Sequence, residues 1–287
     1  MSTDLEVQIS SKLEARLRLS QSLIFPFLLG SSTLVRDNNI TTIFTADLTQ
    51  VSLLGIGEVI WTPAAFFLLS GGVQAGSGWK IPWGSGIGLT RPDDKNASLP
   101  RKRIIDGEAF DGVIWGAWGA VTLQFDLGVV IPGEWNHVLF RTRQEFRYSG
   151  YSRAGPGDSW IFENGDGDEQ NGWNYHATYG FGYSMPRSPV LDTIAFVAEL
   201  RKSLYNTPGG DLWGDGLGKW TFSGVLNFSF TPRLSTTLAV QMRTRYNYGT
   251  GYYEYDEYYY RDLQLANDNG RRLLFYRVAL VLNFKLF

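Results

Sequence analysis

Residues 113–131 alternate with a period of two over a length that few soluble strands reach. Every odd position there, Val113, Trp115, Ala117, Gly119, Val121, Leu123, Phe125, Leu127, Val129 and Ile131, is apolar or glycine, while the even positions include Thr122, Gln124 and Asp126. Successive side chains of an extended chain point to opposite faces, so this run predicts a strand with one face suited to oil. After a turn at Pro132-Gly133-Glu134, Val138, Phe140, Phe146 and Tyr148 share one face and His137, Arg141, Arg143, Glu145 and Arg147 the other. A hairpin of this kind needs an apolar solvent on one side and a polar interior on the other.

The pattern recurs along the chain. Residues 5–19 read as one long two-faced strand, with Leu5, Val7, Ile9, Leu17 and Leu19 opposed to Glu6, Gln8, Lys12, Glu14, Arg16 and Arg18. Helical spacing would scatter those charges around a cylinder. Segment 23–29, interrupted by Pro26, is a short returning strand or a bent strand end. Further strands are expected at 40–49, 53–62, 67–79, 173–184, 194–203, 220–230, 234–248 and 272–287. Residues 80–111 and 150–172 carry Gly, Pro and charge without a period and read as long loops.

The sum is about twelve strands, with ten to fourteen allowed, in a single domain over 1–287. An even count puts both termini on one side. It sorts the connections into short turns near 36, 63, 133, 188 and 232 and mostly longer loops at the other end. The expected fold is all-β, an antiparallel up-and-down transmembrane β-barrel with short periplasmic turns and long extracellular loops. A soluble β-sandwich competes, since alternation alone suits both; strand length and the placing of aromatics favour the barrel. Trp115, Tyr148, Trp173, Trp220 and Tyr246 fall on the apolar face at the loop end of their strands, and Trp61 and Phe230 on it near the short turns. Two belts at the membrane interfaces follow from that spacing.

Composition narrows the alternatives. No run of about 18 apolar residues exists, which excludes a transmembrane helix, while a mildly negative mean hydropathy says nothing against a barrel whose apolar residues alternate with polar ones. Cysteine is absent, so disulfides and thiolate metal sites are out, and a net charge of -2 gives no reason to expect nucleic acid. The opening Met-Ser-Thr-Asp lacks the regions of a signal peptide, so export requires a signal outside this numbering.

The last strand runs Tyr276, Val278, Leu280, Leu282, Phe284 and Leu286 on its apolar face before closing on Phe287. It resembles the C-terminal signal of bacterial outer-membrane proteins, with Phe287 one step out of phase and Lys285 where an aromatic is common. Over its whole length the chain resembles Gram-negative-type outer-membrane β-barrels, and Trp61-Thr-Pro-Ala-Ala-Phe-Phe through Gly78-Trp79 is similar to spirochaete outer-membrane proteins. The resemblance implies residence in the bacterial outer membrane, contact with the lipid bilayer and insertion by the outer-membrane assembly machinery. It names an architecture, not one activity.

With the polar face taken as the lumen, the strands carry Lys12, Arg16, Arg18, Arg141, Arg143, Arg147, Arg201, Lys219, Arg243, Arg245, Arg277 and Lys285 against Glu6, Glu14, Asp47, Glu58, Asp126, Glu145 and Glu199. That excess, near +5 inside a chain of net -2, places the balancing acid in the loops. Charge enclosed by low-dielectric walls focuses its field, so the leading reading is a narrow pore or transporter for small anionic solutes. The pore-lining set is Lys12, Arg16, Arg18, Asp126, Arg141, Arg143, Glu145, Arg147, Glu199, Arg201, Arg243, Arg245 and Arg277, with Asp126 and Glu145 beside the first arginine wall. If the acids neutralise the arginines, the alternative is a plugged structural or surface-interaction barrel, because a twelve-stranded lumen is narrow.

Catalysis ranks third. An outer-membrane phospholipase needs a Ser-His pair, yet His137 and His176 sit at opposite ends of the barrel and neither has a serine at two-residue spacing. His176 with the acidic 158–169 loop echoes the outer-membrane proteases only faintly. Asn164, Asp166 and Asp168 alternate like calcium ligands but lack the Gly at the sixth position and the closing Glu, so a solvated acidic loop is favoured and no metal or cofactor is expected. That loop and the Tyr-rich 252–260 segment are candidate sites for a surface ligand.

Overall fold

The computed structural model describes the chain except residues 32–34, 37, 83–85, 93–102, 132, 164, 166–168, 187, 206–216 and 247–270, and gives only the backbone at 91–92, 103–106 and 246. The described strands are β1 (Ser2–Ser10), β2 (Ala15–Pro26), β3 (Asn39–Thr49), β4 (Ser52–Ala64), β5 (Phe67–Gly78), β6 (Ile87–Pro92), β7 (Arg103–Asp106) and β8 (Ile114–Asp126), then β9 (Val138–Tyr151), β10 (Ser159–Phe162), β11 (Gly172–Ser184), β12 (Leu191–Ser203), β13 (Lys219–Thr231), β14 (Leu234–Tyr246) and β15 (Arg271–Lys285). Twelve of them close into an antiparallel barrel in the order β1-β15-β14-β13-β12-β11-β9-β8-β5-β4-β3-β2. Closure is made by β1 against β15, from Asp4 opposite Lys285 to Ser10 opposite Ala279, which leaves the barrel itself without an edge strand. Thr3 and the last two residues exchange backbone hydrogen bonds, so both termini share one end of the barrel.

The wall is apolar outside and polar inside. Phe44, Phe146, Phe181, Phe196 and Phe230 each stand more than half exposed, whereas the carboxylates of Asp47 and Glu145 are buried. Water would reject such an outer surface, and a lipid bilayer accepts it, so the barrel is read as membrane-spanning.

Twelve barrel strands are found among the described residues, but the first two are cut differently from the alternation. Residues 5–19 are not one strand: the chain turns at 11–14, where Leu13 takes a positive φ of 59° and its N–H bonds the Ser10 carbonyl. The β1–β2 register pairs Leu5 with Leu19, Val7 with Leu17 and Ile9 with Ala15, odd with odd. Residues of like parity therefore stay on one face across the turn, and a period of two runs through it undisturbed. The doubtful 23–29 segment is the end of β2, which stops at Pro26. The run from 113 also ends early: Asp126 accepts the Gly128 N–H and caps a short 3-10 turn over Leu127–Val129.

The two long loops contain strands of their own. β6, β7 and β10 form a three-stranded sheet in the order β10-β6-β7, built from the connections on either side of β8 and β9. Ile87, Leu89 and Trp160 of this sheet pack on Ile114 and Tyr151 of the barrel in one buried cluster. Strands of four to six residues leave too few alternations to register as a period.

The last strand changes phase along its length. In β14–β15 the register passes from Gln241 opposite Arg277 to Met242 opposite Phe275, so Tyr276 is an extra residue in a β-bulge. Val278, Leu280 and Leu282 keep the outward face expected of them, but Tyr276 leaves it and Phe275 takes its place outside.

Candidate functional site

Two buried carboxylates organise the inner wall, and each is shared by two arginines. Asp47 of β3 is 1 % exposed. The Arg18 Nε–H donates to its Oδ2 at 2.8 Å, and Arg16 Nε lies 3.1 Å from its Oδ1, an ion pair too oblique to count as a hydrogen bond. Glu6 approaches the outer side of Arg18 at 3.7 Å. In the second triad, Glu145 accepts from Arg147 Nε at 2.7 Å and from Arg143 Nη2 at 2.8 Å. Each pair of arginines lies on the polar face of one strand, two residues apart in β2 and four in β9; Asp47 stands on the neighbouring β3 opposite Arg18, whereas Glu145 lies between Arg143 and Arg147 on their own strand.

Arg143 also approaches Glu58 at 3.5 Å and donates to the Ser70 hydroxyl at 3.1 Å. Glu58 belongs to β4 and Arg143 to β9, with β5 and β8 between them, so only the concave interior can bring them together. Arg147 bonds the Gln74 side-chain carbonyl at 3.0 Å and lies 4.3 Å over the ring of Trp118. Trp118 reaches into the interior across Gly72, where a Cβ would come within 2.2 Å of its ring. The odd-position reading of this strand passed over Trp118; its even parity beside Thr122 and Gln124 was the available signal.

Nearer the loop end, Arg277 bonds Glu14 at 2.5 Å and Gln241 at 2.6 Å. Around the bulged Tyr276, the cationic groups of Lys12, Arg243 and Arg277 stand 4.3, 4.6 and 5.1 Å from the ring centroid, within cation–π range. Lys12 sits in the 11–14 turn and not on a strand, yet its ammonium still reaches this inner group. The loop after β9 adds two acids: Glu163 receives Arg16, and Glu169 receives Arg201.

The remaining expected residues fall as follows. Cross-strand pairing sets His176 between Glu145 and Arg201, with its Nδ1 3.7 Å from Glu145. Glu199 lies on the same inner face, between Thr178 and Thr221. Arg245 pairs with Arg272 beside the segment that lies outside the described residues. Arg141 is exposed and no ion pair joins it to a described residue. Asp126 does not stand by the arginine wall: it pairs with His137 Nδ1 at 3.0 Å at the short-turn end, because β8 stops there. His137 and His176 thus each face a carboxylate. The calcium-like residues Asn164, Asp166 and Asp168 lie outside the described residues, as does the 252–260 segment.

Beneath the loop sheet the interior holds a cavity of about 390 Å³, lined among others by Arg16, Arg147, Arg201, Arg277, His176 and Glu163. On the outer wall, Trp115 stacks on Tyr148 at 5.0 Å and Tyr148 meets Trp173 edge-on at 5.6 Å. Trp220 stacks on Tyr179 and Phe222. At the other end Phe27 packs edge-on against Trp61, and Phe230 lies against Phe228. Tyr246 ends β14, with its side chain outside the described residues.

No protein-family model matches the chain, and no curated protein matches it. Three solved structures align over nearly the whole of both chains. The KdgM porin has 9% identity and a TM-score of 0.42 over 100% of each chain. The NanC porin has 11% identity and a TM-score of 0.46 over 99% of this chain and 100% of that one. The KdgM porin in complex with disordered oligogalacturonate has 9% identity and a TM-score of 0.45 over 100% of each.

Proposed function

We propose that the protein is a pore of the bacterial outer membrane that passes small anionic solutes through an arginine-rich lumen. The observation that carries this reading is the excess of Arg and Lys over Asp and Glu on the inner face of the strands. Asp47 serves both Arg16 and Arg18 and Glu145 both Arg143 and Arg147; Glu163, Glu6 and Glu58 then balance Arg16, Arg18 and Arg143 locally, so the surplus belongs to the inner wall as a whole and not to either triad. Arg141 adds a cation with no described partner. Enclosed by a low-dielectric wall, this surplus concentrates anions and repels cations. Trp115, Tyr148, Trp173 and Trp220 at one end and Trp61 and Phe230 at the other act as the interfacial belts that fix the barrel in the bilayer. Insertion falls to the outer-membrane assembly machinery.

A plugged barrel is the second reading, and the loop sheet favours it. β10 brings Glu163 and Glu169 onto Arg16 and Arg201, which narrows the path beneath it. Recordings in a planar bilayer under a KCl gradient separate the two. The pore gives a reversal potential on the anion side, and Arg141→Glu moves it toward the cation side without loss of the folded barrel. Absence of conductance at every voltage overturns the pore and leaves the plug.

A further inference from the structure

The Arg16–Glu163 contact has the construction of a binding site filled by the protein's own chain. Arg16 is oriented from behind: its Nε faces Asp47, which Arg18 holds in turn. That leaves Nη2 directed at Glu163, reaching both carboxylate oxygens at 2.8 and 2.9 Å. Glu163 Oε1 accepts a third hydrogen bond, from the Ser52 hydroxyl at 3.0 Å. Ser52 is fully buried, and its Oγ lies 2.7 Å from the Thr49 hydroxyl. With the Ser52 proton committed to Glu163, Thr49 donates to Ser52. Every barrel-side donor is thus held by a second residue, as a preorganised carboxylate receptor requires.

The occupant comes from elsewhere in the fold. Arg16 and Ser52 belong to β2 and β4, whereas Glu163 follows β10 of the loop sheet, whose apolar cluster rests on β8 and β9. Glu163 has φ of 55°, left-handed for a residue with a side chain, and its N–H is fixed to the Gly86 carbonyl at 2.7 Å. The loop accepts an unfavourable backbone conformation while presenting a carboxylate to Arg16. Arg16 and Glu163 both line the 390 Å³ cavity, so a solute lying there meets the same guanidinium.

We infer that Arg16 Nη2 and Ser52 Oγ form a carboxylate-binding subsite at the loop-end mouth of the lumen, and that Glu163 is its resident internal occupant, displaced by the carboxylate of an entering solute. The inference rests on the pore reading above and adds the solute's functional group and a competitor for it. No bond is made or broken beyond the exchange of one carboxylate for another.

Calorimetry on the detergent-solubilised, folded barrel, with gluconate as probe and the uncharged polyol sorbitol as control, tests it without requiring conduction. Glu163→Gln keeps shape and removes the competing charge. Gluconate binding is expected to tighten at least tenfold relative to the wild type, with sorbitol unaffected. Ser52→Ala added to Glu163→Gln changes no charge, so a purely electrostatic effect would survive it; the subsite requires at least threefold weaker gluconate binding. Equal gluconate affinity in wild type and Glu163→Gln, indifference to Ser52→Ala, or equal binding of sorbitol overturns the subsite. A barrel that binds in the expected pattern but never conducts in a planar bilayer keeps the subsite and sinks the pore. Anion-selective conduction without the gain in gluconate affinity does the reverse.

Discussion

The Asp47 carboxylate, almost wholly buried, accepts the Nε–H of Arg18 at 2.8 Å from the neighbouring strand. Because Arg16 leans on the same group, Asp47→Asn leaves two guanidiniums without their shared acid. Removing one side of a buried ion pair costs about 3 kcal/mol, and that loss is expected in urea unfolding of vesicle-inserted protein. Glu6, half-exposed and 3.7 Å from Arg18, provides the contrast. Glu6→Gln is expected to cost less than about 1 kcal/mol.

Arg141 and Arg143 are two residues apart on the same inner face and should respond oppositely to charge reversal. Arg143 stands between Glu145 and Glu58, so Arg143→Glu gathers three acids and should reduce folding yield, read as loss of the heat-modifiable band. Arg141 has no described acid beside it, and Arg141→Glu should fold normally and change only the selectivity of conduction. If the two variants fold equally well, the triad around Glu145 does not stabilise the wall as described.

Much of the barrel was legible because its physics is local: parity alone put Arg16, Arg18, Arg143, Glu145 and Arg147 on the inside and Trp115, Tyr148 and Trp173 on the outside. Three features defeated parity for definite reasons. The turn at 11–14 is silent because odd pairs with odd across it. Tyr276 changed face because a bulge consumes one residue and shifts the phase of everything before it. Glu163 lies in a loop, where no period exists, and its partner Arg16 is distant in sequence. Which acid meets which arginine depends on register and on loop packing, and alternation carries neither.

Packing along the wall is tight at one glycine and slack at another. A Cβ on Gly72 would stand 2.2 Å from the Trp118 ring, which is itself held under Arg147. Gly72→Ala is expected to destabilise by about 1–3 kcal/mol through overpacking. Gly119, one residue along from Trp118 and facing outward, has nothing within 4 Å of an added Cβ. Gly119→Ala should stay within about 0.5 kcal/mol of the wild type in the same urea titration.

Glu14 in the 11–14 turn gives the barrel an acid dependence with a definite sign. Its partial burial pushes the carboxyl up, but hydrogen bonds from the Ser10 hydroxyl and Arg277, with the charges of Arg277 and Lys12, outweigh that and hold it below its ordinary value of 4.5. A group whose folded value lies below its unfolded one contributes fully above the unfolded value and loses that contribution as pH falls through the folded one. Resistance to heat unfolding should therefore drop as the pH falls below the ordinary carboxylate value and through the lowered one in the wild type, and Glu14→Gln should remove that part of the slope while lowering stability at neutral pH. Heat-modifiable mobility after a fixed heating step at each pH reads both effects. An unchanged slope in Glu14→Gln would mean that the Arg277–Glu14 contact closing β1 and β2 against β15 is not what acid releases.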